Sequence, residues 1–348
     1  MIYLIILTWN GSKYLSRLFN SLRQLDYSTD KIKFIVIDSG STDNTLNFLK
    51  NLKWPNLKIF KLEKNLGFAA GNNIGLQYAL DNGADYVVLL NQDTYVEPDF
   101  LVELVNKANS EPQIGIVQPL ILYYQNKKEI NSCGNKLHYL GYGWTNGNHE
   151  IVENYPALNN INEIVYASGA AVLYKTKMLK EIGLFDEKYF SYHEDSDLCL
   201  RARLQGYQTI LAQKSIVYHD YHFPTQKNPR RYFWMEKNRL YLILKFYNWY
   251  TLFLILPMEL FMSLGQFIFS LKNGYVWQFT KSRFWILWHW FDIIKERKII
   301  QSQRQIGDRE LLKNFQSEIR FQETKNFLLE HIGNPIMKFY WKIIKNLI

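Results

Sequence analysis

Three observations predict an α/β domain, a mostly parallel sheet flanked by helices. Over the first 220 residues, short apolar runs alternate with segments whose apolar residues recur at helical spacing. The apolar runs are continuous rather than alternating, as expected of strands buried on both faces. Polar residues cluster where the predicted strands end, the edge at which open parallel sheets bind ligands. Beyond residue 220 the pattern becomes helical, basic and aromatic, so the chain divides into a catalytic-type domain over 1–230 and a helical region over 231–348.

The elements follow in order. Residues 2–7 (IYLIIL) read as the first strand. Tyr14, Leu15, Leu18, Phe19, Leu22 and Leu25 lie at helical spacing. Residues 34–37 form a second strand ending at Asp38, and SGSTDNT then reads as a turn and helix N-cap. Residues 57–62 are a third strand, and 69–81 a helix despite Gly71 and Gly75. Residues 86–90 are a fourth strand, ending at Asn91-Gln92-Asp93. Pro98 sits where a first-turn proline is tolerated, before a helix to about Ala108. Residues 114–122 and 164–174 read as further strands, separated by an Asn-, Gly- and Tyr-rich stretch over 123–163. A helix over 194–205 stops at Gly206, and a strand precedes His219.

Composition narrows the function class. The chain has 348 residues, 47% hydrophobic and 21% charged, which excludes wholesale disorder. Two cysteines, Cys133 and Cys199, exclude a disulfide scaffold and fit a reducing compartment. MIYLIIL lacks a basic n-region and a small-residue cleavage site, so no signal peptide is expected. Residues 1–220 carry a net charge of −2 and residues 221–348 a net of +11. Seven of the ten tryptophans also lie in that last third. Basic and aromatic residues together suit nucleic acid or an anionic membrane face. The uncharged runs 246–258 and 260–271, separated only by Glu259, favour the membrane and argue against nucleic acid.

Several polar groups could carry chemistry. Asp93, just past a buried strand, could hold a divalent cation or cap the next helix. Asp38 could accept hydrogen bonds from a ribose or base, or serve as a turn residue. The Gly-rich turn 65–75 (NLGFAAGNNIG) could present backbone N–H groups to a phosphate or sugar, but it is not G-x-G-x-x-G. Glu194, Asp195 and Asp197 crowd a helix start, where the helix dipole favours acids. One of them could act as a base, while Asp197 and Arg201 at i, i+4 could pair. His219 is either structural or, beside a metal, a further ligand.

Taken together and in this order, TWNG at 8–11, DSGSTDNT at 38–45, NLGFAAGNNIG at 65–75, LLNQDT at 89–94, GLFDEKYFSYHEDSDLCLR at 183–201 and VYHDY at 217–221 resemble the inverting family 2 glycosyltransferases of GT-A fold, in the rhamnosyltransferase-like and galactofuranosyltransferase-like branch. The resemblance covers about residues 1–245. It implies a nucleoside-diphosphate sugar donor, a saccharide acceptor and an Mg²⁺ or Mn²⁺ cofactor. Thr8, Asn10 and Asp38 match positions that hold the base and ribose, and Asn65, Gly71 and Asn72 a segment lining the donor pocket. Asp93 matches the last acid of a D-x-D-like motif whose first position is here Asn91, an oxygen without a charge. Asp195 matches the catalytic base, with Glu194 beside it, and His219 a residue completing the metal site. Rhamnose on dTDP is the donor the resemblance favours, with UDP-linked hexoses next. Processive relatives carry Q-x-x-R-W. Here Gln301 and Arg304 are followed by Gln305, and Gln226 to Arg231 has the wrong spacing, so addition of one or a few sugars is expected. A catalytically degenerate scaffold that binds nucleotide-sugar or glycan is the competing reading.

In the C-terminal third, residues 246–271 are long enough to span a bilayer, but Pro257, Glu259 and Gln266 interrupt them. Residues 273–274 offer a turn before the aromatic stretch 275–291. The expectation is a helical pair lying in the interface at the cytoplasmic face of the cell membrane, basic residues toward lipid phosphates. A transmembrane hairpin, or a soluble helical subdomain or dimer interface, are the alternatives. The amphipathic tail KFYWKIIKNLI at 338–348 could add an anchor. A polyprenyl-linked saccharide acceptor would account for the attachment.

Overall fold

The computed structural model describes residues 1–222, 227–320 and 326–348, so Gln226 lies outside the described residues. The chain forms two compact units, Met1–Asn135 with Thr145–Arg203 and Tyr207–His222, and Lys136–Trp144 with Leu204–Gly206 and Phe223–Ile348.

The first unit is built on β1 (Ile2–Thr8), β2 (Ile32–Asp38), β3 (Leu57–Lys61), β4 (Tyr86–Asn91), β5 (Thr94–Val96), β6 (Ile114–Tyr123), β7 (Ile130–Ser132), β10 (Ala171–Lys175) and β11 (Gln208–His219). A short pair, β8 (Asn135–Leu137) and β9 (Gly143–Thr145), stands apart from this sheet. The sheet order is β3-β2-β1-β4-β10-β6-β11-β5, with β7 on β6. The half from β3 to β4 is parallel, as the continuous apolar runs required. Strand β10 runs antiparallel to both its neighbours, and β5 and β7 are antiparallel edges, so the whole sheet is mixed. Helices α1 (Ser12–Leu22), α2 (Thr45–Asn51), α3 (Gly67–Asp81), α4 (Phe100–Asn109), α5 (Thr176–Ile182) and α6 (Glu194–Leu204) complete the unit.

The core is the strand residues plus one face of α1 and α4. Leu15, Leu18, Phe19 and Leu22 of α1 and Phe100, Leu101 and Leu104 of α4 are buried with Leu4, Val36 and Val88. Glycine sets the seating of α3. A Cβ at Gly71 would stand 2.6 Å from Leu7 Cδ1, and one at Gly75 2.8 Å from Ile5 Cγ2 and Ile37 Cδ1. Both distances are shorter than carbon atoms tolerate, so these glycines let the helix approach β1 and β2 closely. The stretch 164–174 departs from its strand reading. Only Ala171–Lys175 is strand, because Gly169-Ala170 turns the chain and leaves 164–167 with a single isolated bridge, at Tyr166.

The second unit is helical: α7 (Pro229–Phe246), α8 (Trp249–Asn273), α9 (Val276–Trp288), α10 (Trp290–Gln303), α11 (Asp308–Leu311) and α12 (Asn334–Ile344). Helix α8 continues through Pro257 and ends at Gly274 in the left-handed conformation, φ +75°. Its single acid faces protein. Arg239 of α7 donates two hydrogen bonds to Glu259, at 2.6 and 2.9 Å. Arg283 of α9 donates to Glu236 of α7 at 2.9 Å. The opposite face is bare: Trp249, Phe253, Leu256, Leu260, Leu264 and Leu271 are exposed at helical spacing. Gln301 and Arg304 are both engaged within the unit. Gln301 donates to the carbonyl of Phe246, and Arg304 pairs with Asp308 at 2.7 Å.

Candidate active site

The register brings the polar ends of the parallel strands together. Thr8 pairs with Asp38 across β1 and β2, and Leu7 with Asn91 across β1 and β4. Asp38 is fully buried. Its Oδ2 accepts from Ser41 N at 3.2 Å, while its Oδ1 is buried with no hydrogen-bond partner among the described residues. A buried carboxylate oxygen without a donor carries a desolvation cost that a ligand N–H or O–H would relieve.

Asn10, in the left-handed region at φ +50°, ties TWNG to the turn after β2. Its Oδ1 accepts from Thr42 N at 2.8 Å, its own N–H donates to Ser41 Oγ at 2.9 Å, and Gly11 N donates to Thr45 Oγ1 at 2.8 Å. Asn65 Oδ1 accepts from Gly67 N at 2.8 Å and so shapes the entry to α3. Asn72 is buried and donates to the Phe68 carbonyl, and Gly71 packs against Leu7. These last two serve the helix in this structure. The neighbouring Asn73, which the sequence did not single out, clasps Phe185 through both amide atoms, at 2.9 and 3.0 Å.

Asn91 ends β4, and its carbonyl accepts from Thr94 Oγ1 at 2.7 Å. Two residues on, Asp93 Oδ1 lies 3.4 Å from His219 Nε2, brought there by the antiparallel pairing of β5 with β11. His219 Nδ1 lies 3.1 Å from Asn131 Oδ1. An amide oxygen only accepts, so Nδ1 donates to it, which leaves Nε2 as the nitrogen a metal ion would take. Metal-binding histidines are commonly oriented in this way by an acceptor on the other ring nitrogen, and the Asp93–His219 oxygen and nitrogen pair fits Mg²⁺ or Mn²⁺. Among the described residues no cluster of three such ligands exists, so the remaining ligands must come from a bound molecule or water.

The three acids at the start of α6 have separate fates. Asp197 is fully buried. It accepts from Arg201 Nε at 2.7 Å and Tyr189 Oη at 3.1 Å, and Arg201 also caps the carbonyls of Ile182 and Leu184. This is a structural clamp. Asp195 accepts from Ser196 N at 2.7 Å. Burial pushes its carboxyl up from 3.8 to about 6, against the lowering effect of hydrogen bonds from Ser196 and the Gly169 N–H. Glu194 is buried beside it. Phe190, Tyr192 and His193 all take positive φ, 64–71°, in the loop leading to Asp195. The Phe190 carbonyl accepts from Phe68 N at 2.7 Å, so the start of α3 and this loop hold each other. Backbone strain of this kind persists only where surrounding contacts enforce it, and it concentrates at functional sites.

Strand ends that carry a buried carboxylate and an acid–imidazole pair, in a unit that also holds a carboxyl raised by desolvation, suit a nucleotide-sugar-dependent hexosyltransferase of GT-A fold. The profile described as Glycosyl transferase family 2 matches residues 3–183, over half of the chain, and the chain belongs to that family. It is similar to the N-acetylglucosaminyl-diphospho-decaprenol L-rhamnosyltransferase of Mycobacterium tuberculosis, 24% identical over 257 residues, which are 69% of this chain and 82% of the relative. It is also 24% identical over 234 residues to the O-antigen chain rhamnosyltransferase RfbN of Salmonella typhimurium, covering 67% of this chain and 70% of that one. Solved structures of similar fold include GalNAc-T7 with UDP, GalNAc and Mn²⁺ (TM-score 0.59, 16% identity, 74% of this chain and 51% of that one). Another is the mannosyltransferase PcManGT from Pyrobaculum calidifontis with GDP-Man and Mn²⁺ (TM-score 0.51, 17% identity, 70% and 62%). This chain spans less than two thirds of either solved chain.

Proposed function

We propose that this protein is an inverting, divalent-metal-dependent glycosyltransferase that adds one or a few sugars, rhamnose first among candidates, to a hydroxyl of a lipid-linked or cell-surface saccharide. The observation that carries the reading is Asp195, a partly exposed carboxylate held by the Ser196 N–H behind the positive-φ loop 190–193, with desolvation raising its pKa to about 6. A base with that pKa is ionised at neutral pH yet basic enough to assist proton removal. Asp195 takes the proton of the acceptor hydroxyl as that oxygen attacks the anomeric carbon. The glycosyl–phosphate bond breaks on the opposite side, and one displacement inverts the centre. Asp38 Oδ1 accepts from the nucleoside, with Thr8 and Asn10 shaping the loop beside it. Asp93 and His219 would hold Mg²⁺ or Mn²⁺, with Asn91 nearby. When bound, the ion supplies positive charge against the departing nucleoside diphosphate.

A thermal-shift panel tests the donor site. UDP, dTDP, GDP and CDP are compared with and without Mn²⁺, in the wild type and in Asp93→Ala. Stabilisation by one nucleotide that needs Mn²⁺ and disappears in Asp93→Ala is the expected result. Equal stabilisation in the variant removes Asp93 from the metal site.

We further place the protein at the cytoplasmic face of the cell membrane, bound from one side through its helical unit. Helix α8 is the one described helix long and apolar enough to cross a membrane by length and composition. Against crossing stands Glu259, held in an ion pair near its middle, and in favour of in-plane binding stands the row of exposed rings and leucines. The +11 charge of residues 221–348 suits anionic lipid. The decaprenol named for the mycobacterial relative makes a polyprenyl-linked acceptor the natural substrate for such a site. Co-flotation with phosphatidylglycerol vesicles is expected, falling at least about tenfold in the double variant Phe253→Asp/Leu260→Asp, since each exposed apolar side chain contributes roughly 1.5–3 kcal/mol on burial. Unchanged flotation of the variant removes this face from the membrane contact.

A further inference from the structure

The side chain of Gln92, the central residue of Asn91-Gln92-Asp93, is engaged through both its amide oxygen and its amide nitrogen. Its Oε1 accepts from Thr8 Oγ1 at 2.6 Å and from Trp9 N at 2.9 Å, and its Nε2 donates to the Trp9 carbonyl at 3.2 Å. One carboxamide thus holds both backbone groups of Trp9 and the hydroxyl of Thr8, joining segments 84 residues apart. The contact also explains Gly11. That residue has φ −100°, where any amino acid is comfortable, yet a Cβ there would stand 2.2 Å from Gln92 Oε1 and 2.4 Å from Thr8 Oγ1. The glycine is required by the Gln92 amide together with the Thr8 hydroxyl, and not by its own backbone.

From this we infer that Gln92 is a positioning residue for donor binding. It latches the loop that carries Thr8 and Asn10 to the loop that carries Asp93, so that the nucleoside and diphosphate ends of the donor meet a site already assembled. The inference rests on the donor-site reading above. Physically, the latch removes the freedom of three residues at the loop before the ligand arrives, which lowers the ordering cost of binding. A glutamine suits this better than an acid, because the Trp9 carbonyl needs a donor as well as its N–H needing an acceptor.

Two substitutions disturb the latch from opposite sides. Gln92→Ala removes the amide. Gly11→Ala keeps it but sets a Cβ against Gln92 Oε1 and Thr8 Oγ1, so the amide and the hydroxyl it holds must move. Each is expected to weaken binding of the stabilising nucleotide about five- to tenfold, with the ligand-free melting temperature within about 2 °C of wild type. The double variant is expected to lose less than the sum of the two single losses, because both disturb the same contact. Gln92→Glu keeps two of the three hydrogen bonds and is expected to fall between. Hydrogen–deuterium exchange of the peptide over 7–13 is followed without ligand in the same proteins. Faster exchange in both single variants is expected, and it reads the latch even if no nucleotide binds the wild type, a result that would sink the donor-site reading instead. Nucleotide affinity unchanged in Gln92→Ala, additive losses in the double variant, or unchanged exchange in both would each overturn the latch.

Discussion

Asp195→Asn is expected to lower sugar transfer by about 10²- to 10⁴-fold, the usual contribution of a positioned general base, while nucleotide binding persists. The same change is expected to stabilise the fold. Asp195 titrates near 6 in the folded protein against an ordinary 3.8, because burial penalises its charged form. The sign follows directly. A carboxyl with a raised folded pKa favours the folded state below the unfolded value, and that contribution disappears as pH rises through about 6. At pH 8 the ionised group is a cost, and a neutral amide of the same shape relieves it. The gain is on the order of 1–3 kcal/mol. Wild-type transfer should fall below pH 6 as the base is protonated. Thermal unfolding at pH 5 and pH 8, beside initial rates across that range, checks both halves. A variant that keeps its rate, or that gains as much stability at pH 5 as at pH 8, would show that Asp195 is not the base or is not strained by its charge.

Arg239→Ala is expected to unfold or severely loosen the helical unit. The side chain is 1% exposed, with Glu259 across two hydrogen bonds, Glu236 at 3.4 Å, the Leu140 carbonyl at 2.9 Å and the Tyr142 ring 4.4 Å away. Removing it leaves Glu259 with the Ser263 hydroxyl, at 3.1 Å, and no opposing charge among its described contacts. Breaking a buried pair from one side costs about 3–5 kcal/mol, a large part of the roughly 5–15 kcal/mol by which domains are stable. Arg239→Ala/Glu259→Leu should recover much of the loss, since replacing both charges by apolar groups removes the orphan as well as the bond. Chemical denaturation of the three proteins gives the comparison. A single variant within 1 kcal/mol of wild type would mean that water reaches Glu259.

Strands β1, β2 and β4 were legible because each holds a short apolar run ending in a polar cluster, a pattern that local chemistry dictates. The direction of β10 was not legible, since hydrophobicity is blind to strand polarity. The segment over 164–174 was misread for a related reason. Its apolar residues are buried whether they lie in a strand or, as at 164–167, in the loop before the Gly169-Ala170 turn. The acids of α6 were visible as a cluster, but they are chemically alike in the sequence. Packing distinguished them, giving Asp197 an arginine and a tyrosine while leaving Asp195 partly exposed against the Gly169 N–H. Gly71 and Asn72 lie in a motif-bearing segment, yet it is Leu7 and the Phe68 carbonyl that account for them here.

Element types, the switch from an α/β unit to basic aromatic helices and the residue types able to bind a nucleotide sugar all follow from patterns within a few residues of one another. Which carboxylate is free to act, why Gly11 is glycine, and why a helix as apolar as α8 carries an acid at its centre depend on partners 26, 81 and 20 residues away, as reckoned from the Asp195–Gly169, Gly11–Gln92 and Arg239–Glu259 contacts. Short-range preference is encoded by side-chain size and polarity along the chain. Burial, ion pairing and the pKa shifts they cause exist only once the distant partner has arrived.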